Sequence, residues 1–170
     1  MFTAHSIPSA MAAQCRYEDQ LAETSRLVAE AVGQHGASVV YQSRSGSLRV
    51  PWLEPDVSDR LRELSEAGVT DVVVSPVGFV SDHMEVLYDL DVEAAETSRE
   101  LGLTMVRAGA AGTHPAFVAM IRELIQERLT CVERRAVGRY GPSHEVCPAS
   151  CCLPGTGRPS PWDAEVTARA

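Results

Sequence analysis

Apolar residues recur along this chain first at helical and then at strand spacing, several times over, and the alternation predicts a layered α/β unit. Between residues 16 and 35, Leu21, Leu27, Val28, Ala31 and Val32 fall on one helical stripe among Glu, Gln and Arg, and Gly33 and Gly36 end the run. Ser38-Val39-Val40-Tyr41-Gln42 is a short β-branched run that predicts a strand, ending in the loop of Arg44, Gly46 and Pro51. Asp56 stands where it can cap a helix through Glu66, closed by Gly68. Val72-Val73-Val74-Ser75-Pro76 is the kind of continuous apolar run that predicts a strand buried on both faces of a parallel sheet. Asp82 is placed to cap a helix from about His83 to Leu101, with Gly102 as its stop signal. Thr104-Met105-Val106-Arg107 predicts a last short strand, and Pro115 suits the first turn of a helix ending near Leu129. Met1-Phe2-Thr3 reads as the stub of one further strand.

This succession implies α/β architecture with parallel strands and right-handed crossovers. In such open sheets ligands bind beyond the carboxyl ends of the strands. Applied here, that rule brings His5, the loop Ser43 to Gly46, the loop Gly78 to Asp82 and the loop Ala108 to Gly112 to one rim. Residues 1–130 form one expected domain, and residues 131–170 change character to an irregular tail of Arg, Pro, Gly, Ser and Cys.

Composition narrows the chemistry. A chain of 170 residues with 45% hydrophobic residues can bury the core of one domain. A net charge of -8 and a pI of about 5.1, with no basic stripe, argue against a nucleic-acid partner. There is no apolar run near 20 residues, so no membrane span is expected, and the N-terminus lacks the pattern of a secretory signal. Five cysteines, an odd number, fit a reducing cytoplasm and metal ligation better than a disulfide scaffold.

Several residues on the predicted rim carry chemistry. A neutral imidazole accepts protons near pH 7, which makes His5 the candidate base. Glu85, Asp89 and Glu93 are spaced by four, so on a helix they climb one face at about 6 Å per step. Their hard oxygens suit exchangeable binding of a divalent metal or the removal of protons. His83, two residues before Glu85, is placed to ligate metal or orient the carboxylate. Cys147, Cys151 and Cys152 put three thiols within six residues, a spacing suited to a soft metal or an iron-sulfur cluster. Residue type and spacing alone leave bland readings open: His5 bonding to backbone, a solvated acidic helix face, incidental cysteines in a Pro-rich tail.

Four segments carry a resemblance. Phe2-Thr3-Ala4-His5-Ser6-Ile7-Pro8, Gln42-Ser43-Arg44-Ser45-Gly46, Pro51-Trp52-Leu53-Glu54-Pro55 and the run from Pro76-Val77-Gly78-Phe79-Val80-Ser81-Asp82-His83-Met84-Glu85-Val86 to Asp91 resemble the ferrochelatases in wording and order. The resemblance covers roughly residues 2 to 130 and only the second half of a full-length family member. It implies a Rossmann-like, chelatase-like parallel sheet flanked by helices. It also implies insertion of ferrous iron, as substrate, into a porphyrin, coproporphyrin III or protoporphyrin IX, in haem biosynthesis. His5 and Glu85 stand in what look like the catalytic histidine and glutamate motifs, with His5, His83, Glu85, Asp89 and Glu93 on the route of metal or protons. Ser43, Arg44 and Trp52 match the rim of the porphyrin cleft, where an arginine can pair with propionates. The cysteine group resembles that of family members with a [2Fe-2S] cluster, whose fourth ligand comes from the first half of the protein. That half, the missing N-terminal domain, is then a required partner. Two alternatives stand beside this reading: a small cobalt-type chelatase working as a homodimer, and a non-catalytic metal- or haem-binding fragment.

Overall fold

The structure, a computed structural model, describes residues 1–47, 49–130 and 132–147. Strands and helices alternate as β1 (Phe2–His5), α1 (Ser9–Ala12), α2 (Tyr17–Ala31), β2 (Val39–Gln42), α3 (Val57–Glu66) and β3 (Asp71–Val74). Then α4 (Met84–Val86) runs on through a π-helix (Leu87–Ala94) into α5 (Ala95–Glu100), followed by β4 (Thr104–Arg107) and α6 (Pro115–Thr130). β1 pairs with β2 and β3 with β4, both in parallel. The two pairs meet at a parallel bridge between Phe2 and Ser75, where the Thr3 N–H reaches the Ser75 carbonyl at 2.8 Å and the Ser75 N–H reaches the Met1 carbonyl at 2.9 Å. The spatial order is therefore β2-β1-β3-β4. Its switch point, where ligands bind in open α/β sheets, lies between β1 and β3.

The core forms on one face of this order. Val40, Val72 and Val74 of the strands pack with Val57 and Leu61 of α3, with Val86, Leu90 and Ala94 of the long helix, and with Leu103. Leu61 and Leu90 are fully buried, and each contributes about 1.5–3 kcal/mol by leaving water. A smaller cluster of Ala4, Leu21 and Tyr41 sets α2 against β1 and β2. Asp56 caps α3 as the sequence predicts, accepting the Ser58 N–H at 2.8 Å, and Gly68 follows α3 at φ 81°, a conformation open to glycine without strain.

The expected α/β class and parallel connections are borne out, as is the helix from Pro115 to about Leu129, and three local expectations are corrected. β3 is buried on one face only: Val72 and Val74 point inward, while Val73 is 62% exposed because α2 covers β1 and β2 and nothing among the described residues covers this stretch. The second helix spans Tyr17–Ala31, shorter than the stripe suggested, and is preceded by a helix of 4 residues, Ser9–Ala12, too short to show a helical period. His83, not Asp82, is the N-cap of α4, its Nδ1 accepting the Val86 N–H at 3.5 Å, because Asp82 is engaged elsewhere. α6 carries exposed Val118, Met120, Ile121, Leu124, Ile125 and Leu129, and only Glu127 is buried in it.

Residues 132–147 contain no helix or strand, yet they are fastened to the helices. The Arg135 N–H donates to Glu127 Oε1 at 3.0 Å and the Arg139 N–H to Glu23 Oε1 at 2.9 Å. Glu23, buried in α2, also receives Arg26, and Gly138, at φ 79°, passes so close that a Cβ there would lie 2.6 Å from Glu23 Oε1. Arg26 foremost, then Arg139, holds the Glu23 carboxyl at about 2, well below the usual range.

Candidate active site

His5 ends β1 at the switch point, and the backbone around it is heavily tied. Tyr17 Oη donates to the His5 carbonyl at 2.8 Å, and the Ser6 N–H donates to the Gln42 carbonyl at 2.8 Å. Ser6 is buried and its hydroxyl donates to the Leu53 carbonyl at 2.8 Å, while the Leu53 N–H returns to the Ile7 carbonyl at 3.0 Å. The segments 5–9 and 51–53 are thus stitched together. Burial pushes the Tyr17 hydroxyl up and raises that of Tyr41 to about 12, so both remain neutral phenols near pH 7.

The imidazole itself has one nitrogen committed. His5 Nδ1 lies 2.5 Å from the Ser6 carbonyl, an acceptor, so Nδ1 carries the hydrogen and Nε2 is the nitrogen presented to the cleft. Nε2 stands 3.3 Å from Glu85 Oε1, with the two side chains 34% and 45% exposed, so a substrate can reach both. Gly78 makes this approach possible. A Cβ there would fall 2.5 Å from Ala4 Cβ, and the bare backbone instead donates to the Thr3 carbonyl at 3.0 Å.

Asp89, the next acid, faces the end of β2. Gln42 Nε2 donates to Asp89 Oδ2 at 3.3 Å, and the Ser43 hydroxyl makes a short hydrogen bond to the same oxygen. Ser43 holds φ 61°, an uncommon conformation for a residue with a side chain, and Gln42 is buried with its Oε1 unpartnered among the described residues. Glu93 lies exposed beyond Asp89 on the same helix. His83 packs its ring edgewise against Phe79, with centroids 5.3 Å apart, while its Nδ1 caps α4.

The predicted metal residues do not gather into one chelating cluster. Among the described residues no three His, Cys, Asp or Glu side chains surround a common point. The acids are separated along the helix and Asp89 is turned to Gln42 and Ser43, so the geometry is a row of single carboxylates. Of the rim residues, Arg44 forms a loose ion pair with Glu54 at 3.8 Å, and Trp52 lies against Gly46 with its indole N–H buried. Cys147 is an exposed free thiol; Cys151 and Cys152 lie outside the described residues.

A second set of groups escaped the sequence reading. Arg107, at the end of β4, grips Asp91 with Nε and Nη2 at 2.5 and 2.9 Å and reaches Asp82 Oδ1 with Nη1 at 2.9 Å. Asp82 Oδ1 also accepts the Ala110 N–H at 3.1 Å. The hydrogen bond to Asp91 foremost pushes the Arg107 guanidinium pKa up, so its charge is constant. Its place at a strand end on the ligand rim was the one available signal.

Comparison with known proteins now adds the decisive observation: the family model Ferrochelatase matches residues 1–129. The chain belongs to the ferrochelatase family. It is 56% identical to a ferrochelatase of Rhodopirellula baltica over 161 residues, covering 94% of this chain and 46% of that protein. It is 46% identical to a coproporphyrin III ferrochelatase of Frankia alni, covering 98% and 46%. A coproporphyrin III ferrochelatase of Streptomyces griseus is 41% identical, with 96% and 49% covered. The chain therefore spans about half the length of these ferrochelatases. Among solved structures, a protein described as a cobalamin (vitamin B12) biosynthesis CbiX protein from Marinobacter aquaeolei VT8 shares the fold, with a TM-score of 0.51 and 21% identity over 77% of this chain and 96% of that one. Among the described residues, no helix is long and apolar enough to cross a membrane.

Proposed function

We propose that this chain is the C-terminal, catalytic half of a ferrochelatase that inserts ferrous iron into coproporphyrin III in haem biosynthesis. The observation that carries the reading is the pair His5 Nε2 and Glu85 Oε1, 3.3 Å apart at the switch point of the sheet. The porphyrin supplies two pyrrole N–H groups, and the incoming Fe²⁺ replaces both protons, so the metal and the four ring nitrogens form a neutral core and two protons leave. A neutral His5 takes a pyrrole proton at Nε2, since Nδ1 is already a donor to Ser6. The Glu85 carboxylate stabilises the imidazolium so formed and takes its proton on toward Asp89 and Glu93, which frees Nε2 to accept the second pyrrole proton. Separate carboxylates on a row bind a hydrated divalent ion weakly and release it, which suits a metal in transit as substrate better than a closed cage. Arg44 and Trp52, on the loop stitched beside His5, are assigned to the porphyrin rim, where the guanidinium can exchange Glu54 for a propionate.

The test is anaerobic metallation. The chain combined with the N-terminal half of a ferrochelatase should remove the free-base coproporphyrin III emission, by quenching when Fe²⁺ is added and by a shift to the zinc porphyrin emission when Zn²⁺ is added. A folded assembly that binds the porphyrin and never metallates it overturns the assignment.

The cysteine group is assigned to a resident [2Fe-2S] cluster. Three thiols within six residues fit as donors, and the one described, Cys147, is free and exposed at the end of a segment docked on α2 and α6. Cys147, Cys151 and Cys152 would supply three thiolates and a partner domain the fourth; the cluster when bound contributes one-electron chemistry or a structural clasp. Free, exposed thiols also support a reducing, cytoplasmic setting.

A further inference from the structure

We propose that Arg107 is a positioning residue for the metal side of this cleft: by closing its fork on Asp91 and Asp82 it fixes the rotation of the π-helix and so the aim of Glu85 and Asp89. The inference rests on the reading of those two acids as the path of the incoming metal. Its basis is the spacing of residues on the helix. Asp91 is two residues from both Asp89 and Glu93, roughly half a turn away from the acidic row. A group that grips Asp91 therefore acts on the row through the helix itself, without entering the cleft.

The helix is held from both flanks of the sheet. On one side Gln42 and Ser43, at the end of β2, bind Asp89; on the other Arg107, at the end of β4, binds Asp91. Between these two strands in the spatial order lie β1, whose His5 faces Glu85, and β3. Removing the β4 anchor leaves the helix free to roll toward β2 or away from it, and a small roll at Asp91 displaces Glu85 and Asp89 together. Arg107 also donates to its neighbour's carbonyl, Ala108, at 3.2 Å, and Asp82 takes the Ala110 N–H. The loop beside His83 and the loop after β4 are thereby locked to the same guanidinium. Only a planar fork serves three partners in this way. A lysine keeps the charge and loses the geometry.

The experiment compares Arg107→Lys, Asp91→Asn and, as a control on the same helix, Arg99→Lys, whose ion pair with Glu96 is at the surface. Zn²⁺ alone is titrated by competition with a chelating dye against each chain carrying serine at Cys147, Cys151 and Cys152, so that the thiols do not take the metal, and amide exchange is followed in residues 87–94. Arg107→Lys and Asp91→Asn should each weaken Zn²⁺ binding by about 10-fold or more, the usual effect of losing an outer-shell partner. Exchange should rise in the π-helix and stay unchanged in α2, and Arg99→Lys should match the parent. In the assembled enzyme, the KM for metal should rise while the KM for porphyrin holds. Equal Zn²⁺ affinity and equal metal KM in Arg107→Lys and the parent overturns the proposal. So does a rise in exchange spread over the whole domain with metal affinity intact, since that marks simple stabilisation. If no assembly metallates a porphyrin but Zn²⁺ affinity still falls with Arg107→Lys, the positioning role stands and the ferrochelatase assignment fails.

Discussion

At the scale of the residue, the site depends on what each donor has already been given. His5 offers a single nitrogen to the cleft because Ser6 occupies the other, and Glu85 faces that nitrogen at 3.3 Å. His5→Ala removes the proton acceptor and Glu85→Gln removes the charge that stabilises its protonated form. Each change should lower kcat for metallation by about 10²-fold or more in the assembled enzyme, with porphyrin affinity retained, read by fluorescence quenching. Gly78 is the structural counterpart. Gly78→Ala would drive a methyl group into Ala4, one residue before His5, and should cost about 1–3 kcal/mol in thermal unfolding while also disturbing the His5–Glu85 contact. The convergence of strand ends in a parallel sheet made His5 and the loop from Ser43 to Gly46 legible as a rim, while the readings of Glu85, Asp89 and Ser43 came from the ferrochelatase resemblance. Gln42, Asp91 and Arg107 were not legible. Nothing in a lone arginine or glutamine tells which carboxylate it will meet, since that depends on how a helix is rolled against distant strands.

At the scale of the element, the helix after β3 has the extent expected, Met84 to Glu100, but not the winding. Val86, Leu90, Ala94 and Ser98 are all buried, one every fourth residue. In a regular α-helix such a stripe would turn about 40° per step. The π segment Leu87–Ala94 has wider turns that counter this drift, giving the helix four lasting sides. One side holds the acids Glu85, Asp89 and Glu93, one the core, and one Asp91; Tyr88 and Val92 lie on the fourth, exposed. The spacing by four was visible in the sequence, but the π geometry was not, because a four-residue period is compatible with either helix. The docked segment 132–147 offers a pH prediction. The Glu23 carboxyl lies near 2 when folded, against an ordinary value of 4.5, so the contribution of its ionised form is fully present above about pH 4.5 and is lost as pH falls toward 2. Protease cutting between residues 132 and 147 should therefore rise in that acid window, and Glu23→Gln should show the same cutting already at pH 7. Equal cutting of the variant and the parent at pH 7 would show that the segment is held by other contacts. For the cysteine group, anaerobic reconstitution should give visible absorption and acid-labile sulfide, both lost when Cys147, Cys151 and Cys152 are replaced together by serine. Unchanged iron content in that triple variant would reduce the tail to a linker.

At the scale of the whole molecule, the proposed function makes the site one wall of a cleft. His5, Glu85 and Asp89 line up along a single rim, and the side chains of His5 and Glu85, the proposed catalytic pair, are partly open to solvent. A porphyrin is a flat ring whose two faces both need apolar cover, and a single rim covers one. Among the described residues, apolar side chains are also exposed at Val73 and Val106 on the sheet, at Val28 and Val32 on α2, and along the stripe of α6. A hollow of about 620 Å³ opens between α2 and the sheet, lined by Val28, Val32, Phe2 and Val73. Such surface is a normal feature of a half that packs against another. The relatives, of which this chain matches 46–49%, are long enough to supply a second wall. The chain alone should accordingly metallate coproporphyrin III slowly, and adding the N-terminal half of a relative should raise the rate at least about 10²-fold, the order expected when a bound substrate is held in reacting geometry. The assay follows the shift from free-base to zinc porphyrin emission on adding Zn²⁺, with sedimentation run on the same samples. A chain that turns over at full rate without the added half, and sediments as a pair, would show that two copies build the cleft between them. Slow turnover by a monomer, relieved by the added half, would place the second wall in the partner and leave the chemistry with His5 and Glu85.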